Sequence, residues 1–205
     1  MEIGYFGFSD GGCINNGKNN AKASFCSIII DGKQKHIIDG LVKPNKYNIN
    51  DANLQYDEDN KLISIGDTLT DLLLIDDNIK IIPSNNRGEL LGLINCFSQL
   101  LFMGLSEDMS NNFIEIYTDS LLCINTFNIW LPSRQKNNTT NKLKNLDLLI
   151  IGDFLFTQLK QKYKSVKLLH VNSHQPQPAQ NKGTKALFIW LGNNLADKHC
   201  SECLT

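Results

Sequence analysis

Ile116-Tyr117-Thr118-Asp119-Ser120 reads as an apolar strand that ends in a carboxylate and turns at once into a helix start. Three other acids stand at comparable element ends: Asp10 in Phe8-Ser9-Asp10-Gly11-Gly12, Glu89 in Ser84-Asn85-Asn86-Arg87-Gly88-Glu89-Leu90, and Asp197 in Gly192-Asn193-Asn194-Leu195-Ala196-Asp197. Taken singly, these acids have plain explanations. Asn86-Arg87-Gly88-Glu89 and Asn194-Leu195-Ala196-Asp197 both fit a capping box, and Asp119 fits an N-cap for the helix from Ser120.

Outward from Asp119, Phe113 to Thr118 is the strand and Ser120 to Trp130 a helix that Leu131-Pro132 breaks. Upstream, a helix is expected from near Asn86 to about Leu101, with Leu90, Ile94, Phe97 and Leu101 on one face. Residues 3 to 9 read as a buried strand that delivers Asp10 to its C-terminal end. Residues 22 to 31 and 34 to 42 form a hairpin through Asp31-Gly32, because Asp-Gly suits a tight turn with positive φ. Downstream, residues 143 to 163 are helical, Val166 to Val171 is the last strand, and a Pro/Gln/Lys-rich loop with His174 leads to a helix beginning at Asn193. The order βββ-αβα-αβα describes one α/β domain over residues 1–205. Its central mixed five-stranded sheet has an antiparallel meander as its first three strands and is flanked by helices. An acidic insertion is expected at about 43–83 and a long loop at about 172–192.

At 205 residues and 41% hydrophobic content the chain can bury a real core. No apolar run approaches the ~20 residues that cross a bilayer, and no basic, apolar leader opens the chain. The expectation is an intracellular protein of the cytoplasm or nucleus, or of a host cell if viral, acting as a monomer and away from membranes. The six cysteines read as reduced thiols in regular elements. His199, Cys200 and Cys203 raise a zinc site, but without a second CxxC ordinary helix cysteines are the simpler reading. His170, inside the last strand, reads as structural.

Net charge is −1, yet the charges are segregated. Residues 51 to 77 carry eight acids and one base, Lys61, whereas ten bases and only two acids, Asp147 and Asp153, lie between Asp119 and Asp197. A basic half can bind phosphates even on a nearly neutral molecule.

With those acids in that order, the chain resembles the type 1 ribonuclease H family, as a catalytic domain without a separate hybrid-binding module. Phe8-Ser9-Asp10-Gly11-Gly12-Cys13 is similar to the first-strand motif, and Ser84-Asn85-Asn86-Arg87-Gly88-Glu89-Leu90 resembles T-N-N-x-x-E-L. Thr118-Asp119-Ser120 matches T-D-S, and Asn145-Leu146-Asp147-Leu148 resembles a helix motif of the family. Val171-Asn172-Ser173-His174 is similar to V-K-G-H, and Gly192 to Asp197 to G-N-x-x-A-D. Each motif is modest, but six in the right order are specific.

The resemblance implies endonucleolytic hydrolysis of the RNA strand of RNA/DNA hybrids, leaving 5′-phosphomonoesters, in replication or repair. It implies two Mg²⁺ ions, with Mn²⁺ as a substitute. Clustered carboxylates would repel and raise one another's pKa, and hard divalent ions neutralise them. Two ions ~4 Å apart can activate a water for in-line attack and stabilise the leaving 3′ oxygen. By the same resemblance Asp10 bridges both ions, Asp197 helps hold the ion carrying the water, and Glu89 and Asp119 hold the other. His174 is the implied proton shuttle or product-release aid.

Recognition of the 2′-hydroxyl would use main chain at Gly11, Gly12 and Cys13 and side chains at Asn16 and Asn85. Ser84 and Asn86, with Thr139 or Thr140, resemble a phosphate pocket for the DNA strand. The alternatives are a junction resolvase-like DNA nuclease of the same superfamily and a non-catalytic nucleic-acid-binding domain.

Overall fold

The computed structural model describes residues 4–32, 35–42, 82–104, 108–137 and 143–205. The expected strands form one five-stranded sheet in the order β3-β2-β1-β4-β5: β1 (Gly4–Ile14), β2 (Lys22–Ile30), β3 (Lys35–Leu41), β4 (Phe113–Thr118) and β5 (Ser165–His170). The first three are antiparallel neighbours, and β1, β4 and β5 run parallel. The mixed sheet with its antiparallel meander is therefore as read from the sequence.

Helices α1 (Asn85–Met103) and α4 (Leu146–Lys162) cover one face, and α5 (Thr184–Leu204) covers the other. Between β4 and α4 run α2 (Leu121–Asn125), a π-helical turn (Thr126–Trp130) and α3 (Leu131–Lys136). The core lies chiefly under α1 and α4, where Phe97 stacks on Phe156 with ring centroids 5.0 Å apart and meets Phe127 edge-on at 5.5 Å. Among the described residues no helix is long and apolar enough to cross a membrane.

Several boundaries differ from the sequence reading. β1 does not stop before Asp10 but continues to Ile14, because its distal half pairs with β2 as far as Ile14 opposite Lys22. Pro132 does not break the helix after β4. The turn before it widens to a π register, with the Leu131 N–H donating to the Thr126 carbonyl, so the proline ring falls in the first turn of α3, where its missing N–H costs nothing. The loop expected to run to about 192 ends at Gly183, and α5 starts nine residues before Asn193. Tertiary burial extends it: Phe188 packs edge-on against Phe6 and Phe8, at 5.1 and 5.5 Å, and carries the preceding residues into the helix. Most of the 43–83 insertion, residues 43–81, lies outside the described residues.

Candidate active site

Strand register sets the first two acids side by side. β1 and β4 pair in parallel up to Ser9 opposite Thr118, so Asp10 is the next residue on β1 and Asp119 the first residue beyond β4. Alternation along β1 then separates neighbours: Gly11 faces α1, whereas Asp10 faces the side covered by α5, which carries Asp197. The third element arrives by close backbone contact. A Cβ on Gly11 would lie 2.1 Å from the Glu89 nitrogen, and one on Gly92 would lie 2.6 Å from the Asp10 carbonyl oxygen. Only glycines let α1 rest directly on β1, and that seating brings Glu89 to the sheet end where Asp10 stands.

These side chains also act on one another's charge. Asp10 is 9% exposed, and its carboxyl is pushed from the ordinary 3.8 up to about 7, first by burial and then by the charges of Asp119, Asp197 and Glu89. The Gly11 N–H, donating to Asp10 Oδ1 at 2.8 Å, opposes that rise. Burial also raises Glu89, with Asp119 adding to the effect. Two hydrogen bonds pull it the other way: Ser120 Oγ donates to Glu89 Oε2 at 2.5 Å and Asn85 Nδ2 to Oε1 at 2.6 Å.

None of the capping readings of the acids holds. The N-cap of α1 is Ser84, whose Oγ accepts from the Arg87 N–H at 3.3 Å, so Glu89 sits in the second turn and accepts from the Asn85 side chain rather than from the main-chain N–H that a capping box would use. Ser120, not Asp119, caps α2 by accepting from Cys123 N–H. Asp197 lies deep inside α5. None of the three acids is a helix cap, and all three are half-exposed.

Asn16 and Asn85 meet, the Asn85 N–H pointing at Asn16 Oδ1 at 3.4 Å, beside Gly11, Gly12 and Cys13 at the far end of β1. Asn86 is exposed on the rim of a groove of about 710 Å³ that also presents Trp130, Arg134, Lys144 and Asn145. Thr139 and Thr140 lie outside the described residues. His174 is exposed in the loop between β5 and α5, with φ 53°. His199 Nδ1 is bonded to Asp39 Oδ2 at 2.5 Å, and Cys200 is on the buried side of α5.

Two contributors escaped the sequence reading. Ser120 both caps α2 and grips Glu89, and the serine of Thr118-Asp119-Ser120 was the available signal. Arg87, 3% exposed, donates through both terminal nitrogens to Asp147, one contact being 3.1 Å, and to Asn145 Oδ1 at 3.3 Å. That buried fork locks the first turn of α4 to the first turn of α1.

Among the described residues no three His, Cys, Asp or Glu side chains already stand close enough to hold an ion. The donor set nevertheless fits hard divalent cations. Three carboxylates, Asp119, Asp197 and Glu89, act on the buried carboxyl of Asp10, the charges acting on it are all negative, and Glu89 is turned aside onto neutral donors.

The family whose model matches is RNase H, over residues 71–202. A search of curated proteins finds no match. Among solved structures, the N-terminal RNase H domain of Rv2228c from Mycobacterium tuberculosis aligns with TM-score 0.51 at 13% identity, covering 99% of this chain and 94% of that one. The RNase H domain of the foamy virus PFV aligns with TM-score 0.57 at 13% identity, over 99% and 95%. The protease-reverse transcriptase of Prototype Foamy Virus aligns with TM-score 0.60 at 14% identity, over 98% of this chain and 21% of that one. The family match spans well over half of the chain, the sheet order and helix placement agree with these folds, and the chain belongs to the ribonuclease H family.

Proposed function

We propose that the chain is a type 1 ribonuclease H that hydrolyses the RNA strand of an RNA/DNA hybrid, with Asp10, Glu89, Asp119 and Asp197 holding two Mg²⁺ ions. The observation that carries this reading is the shared field on Asp10, which is buried and acted on by the other three acids at once. Cations bound there supply charge neutralisation of the scissile phosphate and make water deprotonation accessible near neutral pH.

The chain's own residues do the rest. Ser120 and Asn85 fix the rotamer of Glu89, so its carboxylate is oriented before substrate arrives. In this reading main chain at Gly11, Gly12 and Cys13, with Asn16 and Asn85, meets the 2′-hydroxyls, which distinguish RNA from DNA. The groove between Asn86 and Trp130, with Arg134 and Lys144 on its walls, has the aromatic and cationic character that suits the DNA strand. Ser84 keeps its hydroxyl hydrogen free for a phosphate, since its oxygen is the capping acceptor. Thr139 and Thr140 belong to this pocket by resemblance alone. His174, exposed on its loop, serves to move a proton or release product.

The test is cleavage of end-labelled RNA/DNA hybrid, double-stranded RNA, double-stranded DNA and a four-way DNA junction in Mg²⁺, with Asp119→Asn beside wild type. Cutting confined to the RNA strand of the hybrid, reduced at least about 100-fold in the variant, is the expected result. Preferential junction cutting moves the chain to the resolvase class. Absence of cutting in both Mg²⁺ and Mn²⁺ makes it a binding domain.

A further inference from the structure

The connection from His174 to Asp197 contains more than a loop: its second half is the first turns of α5, and Trp190 on that stretch reaches back. Its indole Nε1–H donates to the main-chain carbonyl of Gln175 at 2.8 Å, one residue beyond His174. The other side of the loop is also tied, because the Val171 N–H donates to the Thr118 carbonyl at 3.1 Å, directly before Asp119. Between these two ties His174 adopts φ 53°, in the left-handed region that a side chain with a Cβ rarely occupies unless its surroundings hold it there. Gln175 adds a local bond, its Nε2 donating to the Ser173 carbonyl at 3.2 Å.

We infer that Trp190 is a positioning residue for the reaction: its indole N–H hooks the Gln175 carbonyl and so fixes the left-handed turn that presents His174 to the site. The inference rests on the role of His174 given above. It follows from three features taken together. The loop is anchored at one end to the strand that delivers Asp119 and at the other to the helix that delivers Asp197. The indole N–H is a donor only, and the acceptor it meets is the Gln175 carbonyl. Trp190 is half-buried, which gives the hook a fixed base, whereas His174 and Gln175 are exposed. The connection from His174 to Asp197 thus supplies the helix turns from which the loop is held.

The experiment compares Trp190→Phe, which keeps an aromatic ring and removes the donor, with wild type in two backgrounds, His174 and His174→Ala. Hybrid cleavage should fall about 3- to 10-fold in kcat with KM within about twofold when His174 is present. In the His174→Ala background the same substitution should have no further effect on kcat. An equal loss in both backgrounds would overturn the inference, because a merely structural tryptophan acts regardless of the histidine.

Hydrogen exchange gives a second readout that needs no catalysis. Amides of residues 173–179, prolines aside, should exchange at least about 10-fold faster in Trp190→Phe, while those of α5 beyond Gly192 stay protected. Unchanged exchange in the loop would mean that the hook holds nothing. Should Trp190→Phe not fold, a tryptophan isostere with sulfur in place of the ring N–H makes the same comparison with the packing kept. If wild type cuts no hybrid, the proposed function fails, and exchange still decides whether the hook exists.

Discussion

On one face of the sheet α1 and α4 bury a dry aromatic cluster of Phe97, Phe127 and Phe156; on the other, the single helix α5 covers a thinner layer of Phe8, Tyr117, Ala196, Cys26 and Cys200. The first face pays for the fold and the second opens onto the acids. Asp10 points to the thin side, where it is largely desolvated and feels the charges of Asp119, Asp197 and Glu89. A cluster of like charges is tolerated there because the opposite face supplies the stability.

Three substitutions test that division. Phe97→Ala on the thick face should lower unfolding free energy by about 3–5 kcal/mol, from lost burial plus the cavity left in a stack. Denaturant melts would show it, with hybrid cleavage at low temperature within a few-fold of wild type. A comparable loss of activity at full folding would break the separation between the faces.

Asp10 should behave in the opposite sense. Its folded carboxyl titrates near 7 against an ordinary 3.8, so the folded state holds the proton more tightly than the unfolded chain. Its contribution to stability is fully present at low pH and is lost as pH rises through about 7. The loss amounts to up to about 4 kcal/mol across that window. Urea melts in chelator between pH 4 and 8 should therefore show stability falling with pH. Asp10→Asn should flatten the slope and be more stable than wild type at pH 8 while abolishing cleavage, and added Mg²⁺ should restore the wild type. A slope unchanged by Asp10→Asn would place the field elsewhere.

The smallest effect is expected where the two regions meet. Ser120→Ala removes a helix cap worth about 1 kcal/mol and also frees Glu89. Because the Ser120 bond holds the Glu89 carboxyl down, its loss lets that carboxyl rise further, and the acidic limb of the cleavage profile should move to higher pH. A stability loss with an unmoved pH profile would reduce Ser120 to a cap.

The four acids, the meander and the positions of most helices were legible because they rest on local signals: apolar runs, a turn dipeptide and short motifs. The boundaries that failed rest on contacts between distant residues. Pro132 has the look of a stop until the π turn ahead of it is seen, and Ala186 to Leu191 is helical because Phe188 finds Phe6 and Phe8. The single-residue explanations of Glu89, Asp119 and Asp197 as caps were equally local, and they fell once Ser84 and Ser120 took the capping positions.

By itself the sequence determined which side chains are available for chemistry, four carboxylates and a loop histidine, and the order of strands and helices that carry them. It also determined the family, although the matched span begins at residue 71 and leaves Asp10 outside. Only the tertiary structure decided that Asp10 joins the others, that Ser120 and Asn85 hold Glu89, and that Trp190 reaches the His174 loop. The reason is physical. Periodicity and capping are encoded over a few residues, whereas burial, register and the sum of neighbouring charges exist only when segments far apart in the chain are brought together.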